Sequence, residues 1–171
     1  MVILRRTSRL QSQLPETRAP YPGSDTALGD WYVNRIVAHR KPLLLLISSK
    51  SLLPLVLPAK DVQSLPARLA DAVRNRLVRI GVTSSAIDAE VSAMAPVVVA
   101  KTADRSVLGI LVDFSNTAPY FLPERGLSES DLVSLEHRLE KTPCYASRRF
   151  EEVIFPRRKA EQLLQQRWSA A

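Results

Sequence analysis

Residues 31–58, "WYVNRIVAHRKPLLLLISSKSLLPLVLP", decide how this chain folds. "WYVNRIVA" alternates, with Trp31, Val33 and Val37 on one side and Tyr32, Asn34 and Ile36 on the other, which is the period of a strand. "HRKP" turns the chain into "LLLLIS", and "SKS" turns it again into "LLPLVLP". Three consecutive strands with links this short make an antiparallel meander. Pro54 suits an edge position or a bulge, because proline gives no N–H to a ladder. The stretch is rich in leucine, but Lys50, Pro54 and three serines interrupt it. No run approaches the ~20 apolar residues that a membrane-spanning helix requires.

Beyond the meander the period changes. Leu65, Leu69, Val73, Leu77 and Ile80 recur every three or four residues, an amphipathic helix stopped by Gly81. Arg68, Arg74, Arg76 and Arg79 fill its other faces. A second helix, capped by Ser84 or Ser85, carries Ile87, Val91 and Met94 and ends at Pro96. "VVVAKT" is a fourth strand candidate. "DRSVLGILVDF" is dense enough in apolar residues to allow a strand, but Val107, Leu111 and Phe114 stand at helical spacing, which favours a helix with Asp104 as the cap. Another helix opens at Ser128 with Leu132, Leu135 and Leu139 inward and stops before Pro143; a last one follows Pro156 with Leu163, Leu164 and Trp168. Residues 1–26, arginine-rich and punctuated by Pro20, Pro22 and Gly23, read as a basic N-terminal arm or a short element feeding the main fold. The expectation is a single α+β domain over residues 27–171: a small antiparallel sheet of three or four strands covered by amphipathic helices.

At 171 residues there is room for one continuous core. The net charge of +7 is mostly arginine and recurs along the chain. Such a balance favours an acidic partner, whether nucleic acid, an acidic protein surface or an anionic membrane. The lone cysteine, Cys144, forms no internal disulfide and offers no metal spacing, which fits a reducing compartment. Arginines in "MVILRRTSRL" stand where an export signal carries its apolar run, so a cytoplasmic location without membrane attachment is expected.

Catalytic groups are sparse. His39 and His137 fall in different elements, and both suit a solvated surface. Asp104 and Asp113, nine residues apart, lie at opposite ends and different azimuths of one helix. Five glycines leave no phosphate loop or dinucleotide fingerprint. No catalytic residue, metal site or cofactor is therefore assigned. The grammar of a zinc finger, a helix-turn-helix or an aromatic RNA-binding strand is missing too.

"LGDWYVNR" (28–35) together with "TADRSVLGILVDF" (102–114) resembles an uncharacterised bacterial family. Its members share an L-G-D-W-Y start, a strand pair with a leucine-rich second strand, and an R-S-V-L-G segment ending in an aspartate and an aromatic. The resemblance runs from about Leu28 to about Phe114 and implies no activity. Taken by themselves, these residues suit a scaffold. Gly29 allows a turn, Trp31 anchors a sheet face for roughly 2–3 kcal/mol, Asp30 caps or pairs with Arg35 or Arg105, and Gly109 permits close packing of its helix.

"VQSLPARL" (62–69) resembles a degenerate form of the bacterial sliding-clamp-binding motif, in which a glutamine is followed by leucines that enter an apolar pocket. Ser64 stands where that motif has leucine, and Ala67 and Arg68 stretch its spacing. The same residues suit a helix start, with Ser64 as cap, Pro66 in the first turn, and Leu65 and Leu69 in the core stripe. "EQLLQQRW" (161–168) is a similarly degenerate glutamine-leucine stretch. A small basic protein with such a segment is similar to the replication-inhibiting toxin of an atypical toxin–antitoxin pair. That resemblance implies a non-enzymatic effector docking on the DNA polymerase sliding clamp through Gln63, Leu65 and Leu69. Arg68, Arg74, Arg76 and Arg79 would supply electrostatic contacts to an acidic partner, and an antitoxin would be a second one. The alternative is a basic RNA- or DNA-binding protein, including a nuclease-type toxin.

Overall fold

The computed structural model describes residues 1–18, 20–145 and 153–169. The meander forms as expected: β2 (Trp31–Ala38), β3 (Lys41–Ser48) and β4 (Pro54–Pro58) pair antiparallel in sequence order. Its first turn is His39-Arg40, with φ of 48° and 68°. Two consecutive left-handed residues give the primed hairpin turn whose twist matches that of the strands.

Two further strands complete the sheet, β1 (Val2–Arg6) and β5 (Val97–Lys101), in the order β4-β3-β2-β1-β5. Because β1 runs parallel to both β2 and β5, the sheet is mixed rather than wholly antiparallel. Residues 1–26 are accordingly not an arm. They begin with an interior strand and return across one sheet face through Leu10, Leu14, Ala27 and Leu28, all buried in the core. The arginines of "VILRR" disguise that strand, and partners distant in sequence absorb both. Arg5 pairs with Asp30, while Arg6, 9% exposed, donates to the Leu14 carbonyl at 2.9 Å and to Glu16 at 3.1 Å.

Helices cover both faces. α1 (Leu65–Arg79), α2 (Ser84–Ala93) and α5 (Pro156–Trp168) pack on the side of Trp31, Val33, Leu44 and Leu46. α3 (Arg105–Thr117) and α4 (Glu129–Leu139) pack on the side of Tyr32, Ile36, Leu45 and Ile47. The fold is α+β, with an apolar layer on each side of the sheet. Connection through α1 and α2 takes the chain from β4 to β5, as a strand running parallel to β1 requires. Several boundary signals are realised: Asp104 accepts the Ser106 and Val107 N–H groups, Ser128 and Asp131 form a capping box, and Gly81 (φ +81°) follows α1. Thr83, not Ser84 or Ser85, precedes α2.

The "LGDWY" segment is scaffold. Gly29 has φ +77°, and a Cβ there would clash with Ser49 Oγ. The β3–β4 turn approaches so closely because Ser49 N–H donates to the Asp30 carbonyl at 2.7 Å and Lys50 N–H to that of Leu28 at 3.2 Å. Asp30 accepts from Arg5 and Ser24 instead of the expected Arg35 or Arg105. The fully buried Glu90 of α2 accepts the N–H groups of Ala27 (2.8 Å) and Leu28 (3.0 Å) and the indole N–H of Trp168 (2.8 Å). Gly109 differs from expectation: apart from its chain neighbours and its own helix backbone, no atom among the described residues lies within 4 Å of a Cβ placed there.

Candidate binding cleft at the sheet edge

β4 is an edge strand, and an edge exposes unpaired backbone groups that invite another chain. Here two of those groups are occupied. All of β4 is in register with β3, and the Val56 N–H and the Pro54 carbonyl face away from it, towards α4 and α1. The Val56 N–H donates to Glu136 Oε1 at 2.9 Å, and the Pro54 carbonyl accepts from Arg76 Nε at 2.7 Å. Prolines at both ends of β4 contribute no N–H.

Glu136 and Arg76 belong to a buried ionic network. Arg76, Glu136 and Glu140 are 3%, 1% and 1% exposed. Arg76 Nη2 donates to Glu140 Oε2 at 2.5 Å, and Arg79 Nη2 donates to Glu136 Oε2 at 2.7 Å. His137 Nδ1 lies 2.9 Å from Glu140 Oε1, and Arg157 approaches the same oxygen at 3.6 Å. Buried charges survive only when desolvation is offset by several good partners. This set offsets it by tying α1, α4, α5 and the edge strand together.

Beside the network lies a cleft of about 640 Å³ between the β3–β4 edge, α1 and the start of α4. Leu57, Pro58, Ala72, Leu132 and Val133 give it largely apolar walls. Lys41, Lys60 and Arg79 also line it, with Glu129 and Glu136 as the acidic groups. Glu136 is consumed by Arg79 and Val56. Lys41 and Lys60 make no ion pair among the described residues.

Of the seven residues singled out in the sequence, Arg79 alone reaches this cleft. Leu65 and Leu69 are both 0% exposed and pack with Val73 and Leu77 in the core, so they are not free to enter a partner's pocket. The helix-start reading prevails: Pro66 opens α1 and the leucine stripe turns to the sheet. Ser64 is not the side-chain cap expected there; its hydroxyl donates to the Asp61 carbonyl. Gln63 is exposed on a 3-10 turn, Val62–Ser64. Arg68 is exposed but bonded to Ser64 Oγ and to the Lys60 and Asp61 carbonyls, and Arg74 pairs with Asp88 at 2.6 Å. Arg76 is buried and therefore not a surface contact.

Glu136 and Glu140 were missed. Their signal was present: two acids four residues apart, falling beside the inward leucines 132, 135 and 139 of one helix. His39 is not merely solvated, since its Nε2 lies 3.1 and 3.0 Å from the Pro119 and Leu122 carbonyls and joins the hairpin turn to the 3-10 turn, Ala118–Phe121, that follows α3. Cys144 is buried, and burial first, then the charge of Asp113, pushes its thiol up to about 11. Among the described residues no group of three His, Cys, Asp or Glu side chains is placed to hold a metal ion. No helix there is long and apolar enough to cross a membrane.

Fold and cleft together define a small α+β protein with a five-stranded mixed sheet and an apolar cleft at a blocked sheet edge. The chain belongs to the family described as Domain of unknown function (DUF6933), whose profile matches residues 3–159, from inside β1 to inside α5. No curated protein and no solved structure matches it.

Proposed function

We propose that this protein is a non-enzymatic binding protein whose cleft between β4 and α4 receives an apolar segment of an acidic protein partner. The observation that carries this reading is the cleft: about 640 Å³, apolar-walled, with two lysines that make no ion pair among the described residues. That volume falls in the roughly 300–1,000 Å³ range of functional clefts. Apolar side chains entering it would supply affinity at about 25 cal/mol per Å² buried. Lys41, Lys60 and the net charge of +7 would speed encounter with an acidic surface. Strand addition is disfavoured, because the outward Val56 N–H and Pro54 carbonyl are already occupied and the two prolines of β4 offer no N–H.

An antitoxin and the DNA polymerase sliding clamp are the partners suggested by resemblance, and the cytoplasm is where either would be met. Inhibition of replication at the clamp would, on this reading, proceed through the cleft and not through Leu65 and Leu69. The test is capture by the tagged full chain from nuclease-treated lysate, comparing wild type, Val133→Lys and Gln63→Ala. The expected result is one acidic protein retained by wild type and Gln63→Ala and lost from a normally folded Val133→Lys. Equal capture by Val133→Lys, or loss of the partner on nuclease treatment, overturns the proposal.

One observation favours nucleic acid instead. Arg138 stacks over Phe121 at 5.0 Å, Phe121 is 43% exposed, and the neighbouring Tyr120 is 87% exposed. Exposed rings beside guanidinium groups suit single-stranded nucleic acid. A steep fall of affinity with salt would mark that mode, and cleavage abolished by a chelator would mark a nuclease.

A further inference from the structure

We infer that a second cavity, at the carboxyl ends of β1 and β5, binds a small ligand carrying an oxyanion. β1 stops at Arg6, opposite Val33, while β2 continues to Ala38. Thr7 N–H donates to the Val33 carbonyl at 3.1 Å, so the Val33 peptide groups face β1. By the alternation of a strand, those of Arg35 and Val37 face the same way, where β1 no longer runs. A cavity of about 450 Å³ occupies this region, lined by Thr7, Arg9, Asn34, Val37, Ser115 and Asn116 among others. The carboxyl ends of parallel strands are where open sheets place ligands, because the strands end there and the loops diverge.

The polar side of the cavity is constructed around Asn34, which is 7% exposed. Its Oδ1 accepts from Thr7 Oγ1 at 2.9 Å, and its Nδ2 donates to Ser115 Oγ at 3.1 Å. Ser115 passes its own hydrogen to the Leu111 carbonyl at 2.6 Å. An amide nitrogen carries two hydrogens, so Asn34 retains one donor. Arg9 is exposed, and its contact with the Arg35 carbonyl is long at 3.5 Å, leaving its guanidinium fork for a ligand. Among the described residues no carboxylate lines the cavity. A lining with one cation, a spare amide donor and no acid among the described residues selects an anion, and a planar fork favours phosphate or carboxylate oxygens. The volume exceeds that of a bare ion, so the oxyanion belongs to a small molecule.

The test titrates the ¹⁵N-labelled full chain with inorganic phosphate and, separately, with acetate, each at constant ionic strength. Saturable shifts are expected at the Thr7 and Val37 amides and the Asn34 side-chain amide; whichever anion saturates first identifies the ligand as a phosphate or a carboxylate. Arg9→Ala, a solvent-facing change, weakens that saturation by roughly tenfold, the loss of one charge-assisted bond. Arg105→Ala, which alters an exposed arginine outside the cavity lining, leaves it unchanged. Shifts that never saturate and spread over the exposed arginines, or an Arg9→Ala titration identical to wild type, overturn the site.

Discussion

Glu136 Oε1 accepts the N–H of Val56 at 2.9 Å, so a carboxylate of α4 takes the position that a neighbouring strand would fill. The same residue binds Arg79 through its other oxygen, which makes one side chain both the seal of the sheet edge and part of the cleft. Edge strands are commonly blunted by charge or proline. β4 uses both, and the apolar cleft can then lie against an edge without inviting a second sheet.

Removing that seal should be expensive. Glu136→Ala leaves the Val56 N–H unpaired and deprives Arg79 and Arg76 of a buried counter-charge, a loss of about 3–5 kcal/mol. Glu136→Gln keeps an acceptor for Val56 and should lose less. Urea unfolding would rank them. Size-exclusion chromatography should show self-association for the alanine variant alone, since only there is the β4 edge open.

Glu90 holds the "LGDWY" entrance to two helices through three N–H donors. Glu90→Ala leaves those donors buried and unpaired, costing about 3 kcal/mol or more at 1–3 kcal/mol per group. The emission of Trp168, whose indole loses its acceptor, should shift to the red at denaturant concentrations below the main transition. Unchanged emission would mean that the indole bond contributes nothing to docking α5.

Gly29 meets two restrictions, a left-handed φ and the Ser49 hydroxyl. Gly29→Ala should destabilise by more than about 1 kcal/mol, because backbone strain and a steric clash add. Adding Ser49→Gly relieves the clash and leaves the strain, so thermal melting should recover only in part. Full recovery would assign the entire penalty to the serine.

The Cys144 thiol, pushed up to about 11 by burial and by Asp113, stays neutral through the physiological range. The folded-state value lies above the ordinary one of 9.0, so the neutral thiol contributes stability that is complete below pH 9 and is lost as pH rises towards 11. Iodoacetamide at pH 8 should label the folded chain far more slowly than the unfolded one. Rapid labelling of folded protein would show that the thiol is not held in the interior.

The meander and all five helices were legible because each carries an unbroken period, two for "WYVNRIVA" and three to four for the leucine stripes. Val2–Arg6 was not, because Arg5 and Arg6 occupy strand positions and their partners, Asp30 and Glu16, lie ten or more residues away. The parallel pairing of β1 was invisible for a related reason: it depends on which strands meet across long connections, which local pattern does not encode. The candidate site was the least legible part. The arginines of α1 advertise a charged face, yet Arg76 is spent on buried acids that the sequence offers no way to pair with it. Leu65 and Leu69 satisfy a docking pattern and a core stripe equally well, and burial decides between them.

The most direct test of the cleft is site-specific photo-crosslinking, with a benzophenone side chain placed at Val133 in one variant and at Gln63 in another. Both variants are expressed as full-length chains and irradiated in cells. A single acidic protein crosslinked from position 133 and not from position 63 is the predicted result. Crosslinks formed only from position 63 would contradict the account and return the binding site to the start of α1.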